Sequence, residues 1–367
     1  MKIGLDARLT YYTRGGIAFY IRQLAATLPG LDPANDYLIF HSRKASETLT
    51  LPAGANARRA DCWTPAHHRL ERLALGVELL PQGLSLLHSP DFIPPLGLFR
   101  SVITIHDLTF LRYPQFLTAQ SRRYYNDQIH EAVKRADAIL TDSNATRADV
   151  LELLGVAADK VVTVHLAPDP IFQPRPGEAV EPAPARLNLP QRYLLFVGTF
   201  EPRKNVPGLL TAYAQLPLDA PPLVLAGNKG WLFDDVVALI DKLQLKDRVY
   251  FRPDFAAADL PALYHGAIAL VLPSHYEGFG LPVLEAFACG TPVVIANRAS
   301  LPEIAGGAAA LCNPDDPASI VGAIESILSD SAYRLSLIAK GHARVKDFSW
   351  EKCARETLAV YRKVINQ

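Results

Sequence analysis

The residues best equipped for chemistry in this 367-residue chain are two carboxylates, Glu277 and Glu285, set eight positions apart around Gly278-Phe279-Gly280-Leu281-Pro282. A carboxylate accepts several hydrogen bonds and therefore suits sugar hydroxyls. The apolar run 268–274 reads as a buried strand, Pro282 suits the first position of a helix, and Gly290 ends that helix before another apolar run, 292–296. Glu277 is then expected on a turn at a strand's carboxyl end, with Glu285 about one helical turn in. The N–H groups of Gly278, Phe279, Gly280 and Leu281 would serve hydroxyls or an anion. In open α/β sheets, that edge is where ligands bind.

Other polar groups fall at similar edges. Arg203 and Lys204, in Glu201-Pro202-Arg203-Lys204-Asn205, follow the apolar run 193–197 and a turn at Gly198. Two cations beside a helix start make an anion site, although a solvated basic loop has the same composition. Asn205 suits an N-cap. His106-Asp107 ends the run 101–105. His106 could hydrogen-bond a sugar hydroxyl or orient an acceptor, or be an ordinary loop histidine, and Asp107 could cap the next segment. Thr13-Arg14-Gly15-Gly16 precedes an amphipathic helix. Its paired glycines admit a diphosphate, and they equally suit a plain strand–helix loop. There is no Gly-x-Gly-x-x-Gly and no Walker lysine. Residues 250–254 could border a base pocket but read more simply as a loop. Asp142-Ser143-Asn144 reads as a helix cap, and His67 and His68 read as surface. Arg58, Arg59, Arg69 and Arg72, near apolar 73–80, could touch lipid headgroups. Carboxylates for sugar hydroxyls and cations for the diphosphate between the sugars together have the shape of a nucleotide-sugar site.

Positioning these groups requires strands that alternate with helices. Strands are expected at 2–7, 37–41, 84–88, 101–105, 138–141 and 160–165, then at 193–197, 223–226, 249–251, 268–272, 292–296 and 308–311. Between them, Ile17, Tyr20, Ile21, Leu24 and Leu28 share one helical face. Such alternation predicts α/β architecture with parallel sheets covered on both faces. Prolines crowd 168–190, which reads as a semi-rigid linker. The domains expected are 1–170, the linker 171–190, and 191–349, with a final amphipathic helix at 350–367 returning to the first. A cleft between two such domains is a natural ligand site. The formal net charge is zero, so no global basic field marks a nucleic-acid binder. Cys62, Cys289, Cys312 and Cys353 are scattered and form no metal or disulfide pattern. No signal peptide or membrane span is read, which points to a cytoplasmic protein.

Taken together, these motifs resemble the retaining glycosyltransferases of family 4, a large GT-B-fold family that includes bacterial mannosyltransferases and sucrose synthases. The resemblance rests on the Glu277–Glu285 segment, Gly15-Gly16, His106-Asp107, Gly198 with Glu201–Asn205, and Phe348-Ser349-Trp350 opening the last helix. It implies two Rossmann-like domains facing across a cleft, the first for the acceptor and the second for the nucleotide-sugar. It implies a catalytic set of His106, Arg203, Lys204 and Glu277. The implied donor-binding set is Gly15, Gly16, Gly198, Gly278, Phe279, Gly280, Leu281 and Glu285. Glu285 would hold the ribose, Glu277 the transferred sugar, Arg203 and Lys204 the diphosphate, and His106 would lie near the sugar. No metal or other cofactor is expected. The co-substrate would be a nucleotide-sugar, GDP-mannose by preference, with UDP-sugars open. The acceptor would be a glycan or lipid-linked glycan, and peripheral contact with the inner membrane face is compatible with it. A sugar-nucleotide 2-epimerase and a non-catalytic sugar-nucleotide-binding protein are the alternatives. Glycogen-type phosphorylases are longer and need a pyridoxal-phosphate lysine not seen here.

Overall fold

The computed structural model describes residues 1–13, 15–54, 56–68, 70–117, 119–174, 187–230, 233–253 and 255–366. The chain forms two compact units, Met1–Leu166 with Ser349–Gln367, and Ala167–Phe348. Much of the expected proline-rich linker, residues 175–186, lies outside the described residues, as do Arg14, Arg69 and Asp254.

The first unit is built on seven parallel strands: β1 (Lys2–Asp6), β2 (Asp36–Ser42), β3 (Ala57–Cys62), β4 (Leu86–Ser89), β5 (Arg100–Ile105), β6 (Ala138–Thr141) and β7 (Val161–Thr163). Their order is β3-β2-β1-β4-β5-β6-β7. The apolar runs anticipate six of these. β3 escapes because it is an edge strand paired only with β2, so Arg58, Arg59 and Asp61 can face water on it. Arg59 is occupied there by Asp61 and by the carbonyls of Ala45 and Glu47. The run expected at 160–165 narrows to β7, its first residue being taken by the 3-10 turn Ala158–Lys160.

The helix Gly16–Leu31 buries Tyr20, Ile21, Leu24 and Leu28, the face that its 3.6-residue period predicts, while Ile17 stays half-buried. The final helix, Trp350–Ile365, is capped by Ser349 and packs against it, with Trp350 edge-on to Phe19 at 5.4 Å. A buried polar chain fixes this packing. Tyr361 Oη lies 2.6 Å from His88 Nδ1, His88 Nε2 2.8 Å from Thr104 Oγ1, and Tyr20 Oη 3.1 Å from Thr104 Oγ1. Burial, with His106 nearby, pushes His88 down to about 3, so it takes part as a neutral ring.

The second unit holds six parallel strands: β8 (Tyr193–Val197), β9 (Leu223–Ala226), β10 (Val249–Arg252), β11 (Ala267–Leu272), β12 (Val293–Ala296) and β13 (Ala310–Cys312). Their order is β10-β9-β8-β11-β12-β13. β8 and β11 are buried along their whole length, as strands covered on both faces must be. In both sheets the winding reverses direction beside the first strand. Switch points therefore lie between β1 and β4 and between β8 and β11, where the following loops diverge and leave a crevice at the strands' carboxyl ends.

Candidate active site

β8 leads directly into Gly198, which lies so close to its neighbour that a Cβ on Gly227 would stand 1.9 Å from the Gly198 carbonyl oxygen. A single 3-10 turn, Pro202–Lys204, follows, and Asn205 (φ 55°) redirects the chain into the helix Val206–Tyr213. Asn205 is the expected N-cap: its Oδ1 accepts from Gly208 N at 3.2 Å. Its Nδ2 also donates to Pro273 O (3.0 Å) and Pro314 O (2.8 Å). One side chain thereby starts a helix and binds the β8 loop to the carboxyl end of β11. His275 N adds a second tie by donating to Arg203 O at 2.8 Å.

These ties converge on Glu277. Its Oε1 accepts from Lys204 Nζ at 2.6 Å and Ser274 Oγ at 2.8 Å, and its Oε2 accepts from Arg203 Nη1 at 2.8 Å. Arg203 Nε also donates to Glu201 at 2.9 Å. Glu277 and Lys204 are both buried. Burial alone would raise the Glu277 carboxyl, but Lys204, Arg203 and Ser274 outweigh it and hold the group at about 2. Burial pulls Lys204 below the usual ammonium value, with Glu277 opposing. The Lys204 stem runs beside Gly198, where an added Cβ would meet Lys204 Cε at 3.5 Å.

The loop after Glu277 turns at Gly280, whose φ of 113° and 2.9 Å approach to Leu301 Cδ2 leave no room for a side chain. Its carbonyl scaffold is pinned by buried Ser300, whose Oγ lies 2.8 Å from Glu277 O and 2.7 Å from Phe279 O. Gly280 is the N-cap of the helix Leu281–Cys289, so Pro282 takes the second helical position and not the first. No side chain caps this start. Gly290 (φ 72°) closes the helix as expected.

Glu285 lies one turn in and is half-buried. Its carboxylate accepts from Tyr264 Oη at 2.6 Å. Burial raises it to about 7 despite that bond, and Asp169 adds to the rise. The structure thus brings together Arg203, Lys204, Glu277, Gly198 and the loop Gly278–Leu281 at the β8/β11 switch point, with Glu285 on the helix that the loop opens.

Gly15, Gly16 and His106 belong to the other unit. Gly15 is the exposed N-cap of the helix Gly16–Leu31. His106 is already engaged. Its Nδ1 lies 2.7 Å from Asp142 Oδ2 and its Nε2 2.7 Å from Pro90 O. Both partners only accept, so both ring nitrogens must carry protons. Burial opposes that charge, but Asp142 and the Pro90 carbonyl raise the ring to about 9. A hydroxyl contact to His106 would therefore compete with two short bonds that the single strand-end motif did not reveal. Asp107 accepts from Thr109 N at 2.9 Å in a local turn, but the N-cap position of the short helix Thr109–Arg112 falls to Leu108, so Asp107 is not the cap that its place in the sequence suggests. Ser143 caps the helix Asn144–Leu154.

Sequence reasoning missed three contributors. Ser274, three residues before Glu277, was findable from its spacing. Tyr264 and Ser300 come from other elements and carry no local signal. Among the described residues, no group of three or more His, Cys, Asp or Glu side chains is arranged to hold a metal ion, and no helix is long and apolar enough to cross a membrane.

A family model described as Glycosyltransferase Family 4 matches residues 14–170, and one described as Glycosyl transferases group 1 matches residues 179–344. Over 383 aligned positions the chain is 34% identical to the O-antigen chain mannosyltransferase B of Escherichia coli, covering 99% of this chain and 100% of that relative. The chain is a family 4 glycosyltransferase. Its two parallel-sheet α/β units are those of the GT-B glycosyltransferases. This family 4 enzyme superposes on the sucrose-phosphate synthase of Thermosynechococcus elongatus with a TM-score of 0.80 at 23% identity, covering 100% of this chain and 99% of the other. It superposes on Anabaena HepE, solved in complex with UDP and glucose, with a TM-score of 0.76 at 18% identity, covering 99% of each chain. Both likenesses concern the fold of the family 4 enzyme.

Proposed function

We propose that this glycosyltransferase moves a mannosyl group from GDP-mannose to a hydroxyl of a glycan or lipid-linked glycan, without a metal and with retention at the anomeric carbon. The observation that carries the reading is the Arg203–Lys204–Glu277 cluster at the β8/β11 switch point. The full-length likeness to an O-antigen mannosyltransferase supports the choice of sugar. As the anomeric C–O bond breaks, negative charge gathers on the diphosphate. Arg203 and Lys204 are fixed beforehand by Glu201, Glu277 and the Asn205 ties, so they meet that charge without reorganising. The acceptor oxygen bonds to the anomeric carbon on the leaving group's face, and a donor phosphate oxygen takes its proton. Glu277, held ionised at about 2, is far too weak a base to take that proton near neutrality. It orients sugar hydroxyls instead.

A panel of GDP-, UDP-, ADP- and dTDP-sugars in thermal shift and transfer assays tests the donor, since a bound ligand raises the melting temperature. GDP-mannose should give the largest shift and the fastest transfer. A larger response to a UDP-sugar would overturn the donor assignment.

Glu285 would hold the ribose hydroxyls through its ionised form. Because the group is raised to about 7, GDP should bind more weakly as pH falls from 8 to 6, and Glu285→Gln should flatten that dependence in calorimetry. The stability sign is opposite. A carboxyl raised above its unfolded value of 4.5 contributes stability that is fully present below 4.5 and lost as pH rises through about 7. Glu285→Gln should therefore be the more stable protein at pH 8, by roughly 1–3 kcal/mol. A variant with unchanged GDP affinity would remove Glu285 from the ribose role.

Contact with an anionic membrane surface completes the reading. Leu70, Leu73, Val77 and Leu80 lie on one exposed face of and beside the helix Glu71–Leu79, with Leu73 57% and Val77 69% exposed. Exposed Trp63 lies nearby in sequence, covered by the Arg43 guanidinium at 3.8 Å, and Arg58 is exposed on β3. An apolar face beside cations suits the headgroup boundary. Leu73→Asp with Val77→Asp should abolish co-sedimentation with phosphatidylglycerol vesicles, and equal sedimentation would exclude this surface.

A further inference from the structure

The 2.6 Å bond to Glu285 comes from a side chain built into the core of the second unit. Tyr264 sits near the end of the helix Leu260–Gly266 and is fully buried. Its surroundings hold it in place. Its carbonyl accepts from Thr291 Oγ1 at 2.7 Å. The preceding carbonyl, of Leu263, accepts from Tyr193 Oη at 2.8 Å. Gly266 permits that approach, since a Cβ there would stand 2.6 Å from the Tyr193 hydroxyl. The Tyr264 ring meets Phe172 edge-on at 5.6 Å, and His265 Nε2 lies 3.0 Å from Gln173 O. Phe172 and Gln173 belong to the stretch by which the chain enters this unit.

The terminal torsion of a glutamate is broad and roughly two-fold, so a carboxylate on a half-buried helix does not fix its own plane. Here a phenol on a rigid mount takes one lone pair of Oε2 and sets that plane. Burial and the Glu285 carboxylate push the phenol well above its usual value, so it remains a donor near neutrality. The lone pairs left on the two carboxylate oxygens still accept. The vicinal 2′- and 3′-hydroxyls of a ribose are two adjacent donors that match those two oxygens. A 2′-deoxyribose brings only one, and it leaves a half-buried charged oxygen without the partner for which it is aimed.

We propose that Tyr264 is the positioning residue through which Glu285 reads both ribose hydroxyls, so that the enzyme takes ribonucleotide donors and rejects 2′-deoxyribonucleotide ones. The inference rests on the ribose role of Glu285 and adds to it the class of nucleotide that the site selects. Donors built on dTDP fall on the rejected side.

Calorimetry at pH 8, above the value of about 7 for Glu285, tests this with GDP and UDP, each beside its 2′-deoxy counterpart. The native chain should bind the preferred ribonucleotide about 10- to 100-fold more tightly than its deoxy form, the usual worth of one hydrogen bond to a charged group. Tyr264→Phe deletes one oxygen and keeps the ring against Phe172. It should shrink that ratio to about 3-fold or less, chiefly by weakening the ribonucleotide. A residue that merely supported the fold would weaken both nucleotides alike and leave their ratio untouched. A Tyr264→Phe ratio equal to the native one overturns the proposal, and so does a native ratio near one, which needs no variant. The ribose reading fails by a different result, in which Glu285→Gln leaves the affinity for GDP and UDP unchanged. If Glu285→Gln weakens binding while the Tyr264→Phe ratio stays put, only the role of Tyr264 is lost.

Discussion

Lys204→Ala and Arg203→Ala are each expected to lower turnover ~100-fold or more, the loss typical of removing one preorganised donor from developing negative charge. Lys204 presents its ammonium from a buried stem, 2.6 Å from Glu277, and Arg203 approaches the other oxygen of the same carboxylate at 2.8 Å. On the proposed reading their geometry is set by the protein beforehand, so a departing diphosphate would gain its full benefit as the bond breaks. Lys204→Arg should not rescue turnover. The space between the lysine stem and Gly198 is narrow, since a Cβ added at Gly198 would already stand 3.5 Å from Lys204 Cε, and a planar guanidinium needs more width than an ammonium. Steady-state kinetics with saturating donor reads the effect in kcat. Near-normal kcat in both alanine variants would end the assignment of these cations to the leaving group.

Glu277→Ala should produce the largest loss of stability, about 3–5 kcal/mol, because it strands charge in a buried place. The comparison with Lys204→Ala decides the mechanism. Without Lys204, Glu277 still accepts from Arg203 and Ser274. Without Glu277, the buried ammonium loses the one carboxylate that lies within ion-pairing distance among the described residues. The double variant Lys204→Met with Glu277→Leu should regain most of the lost stability while remaining inactive. The pH dependence has a definite sign. A carboxyl held at about 2 in the folded chain against 4.5 unfolded contributes stability above 4.5, and loses it as pH falls through about 2. Urea unfolding at pH 7 and pH 3 should show that acid-sensitive component in the native chain and not in Glu277→Ala. An alanine variant as stable as the parent at pH 7 would mean that the cluster stores no such electrostatic energy.

Much of this molecule is readable from local pattern. Strands β6, β8 and β9 lie where their apolar runs predict, because strands buried on both faces must be apolar throughout. Asn205, Ser143, Gly290 and the helix Trp350–Ile365 follow from capping chemistry and a 3.6-residue period, both of which act within a few residues. β3 was hidden because an edge strand has no second partner and tolerates charge on its open side. The sequence places His67 at the surface, and its side chain is one-third exposed, but its ring nitrogen is held by Asp91 from another loop.

The amino-acid order alone therefore determined the two α/β halves, the strand ends and the identities of the acids and bases placed on them. What those groups do to one another was decided only by the tertiary structure. Glu277 and Lys204 are 73 positions apart, and Tyr264 and Glu285 21, so no local spacing encodes their contact. Parallel strands must be joined by crossovers, and neighbouring strand ends therefore come from distant sequence. One arrangement of those crossovers places a carboxylate between two cations and drives it down to about 2. Another places an equally ordinary glutamate on a half-buried helix beside a tyrosine and pushes it up to about 7. The difference lies in burial and in the partners that the fold delivers, properties that a residue acquires only once the chain has closed around it.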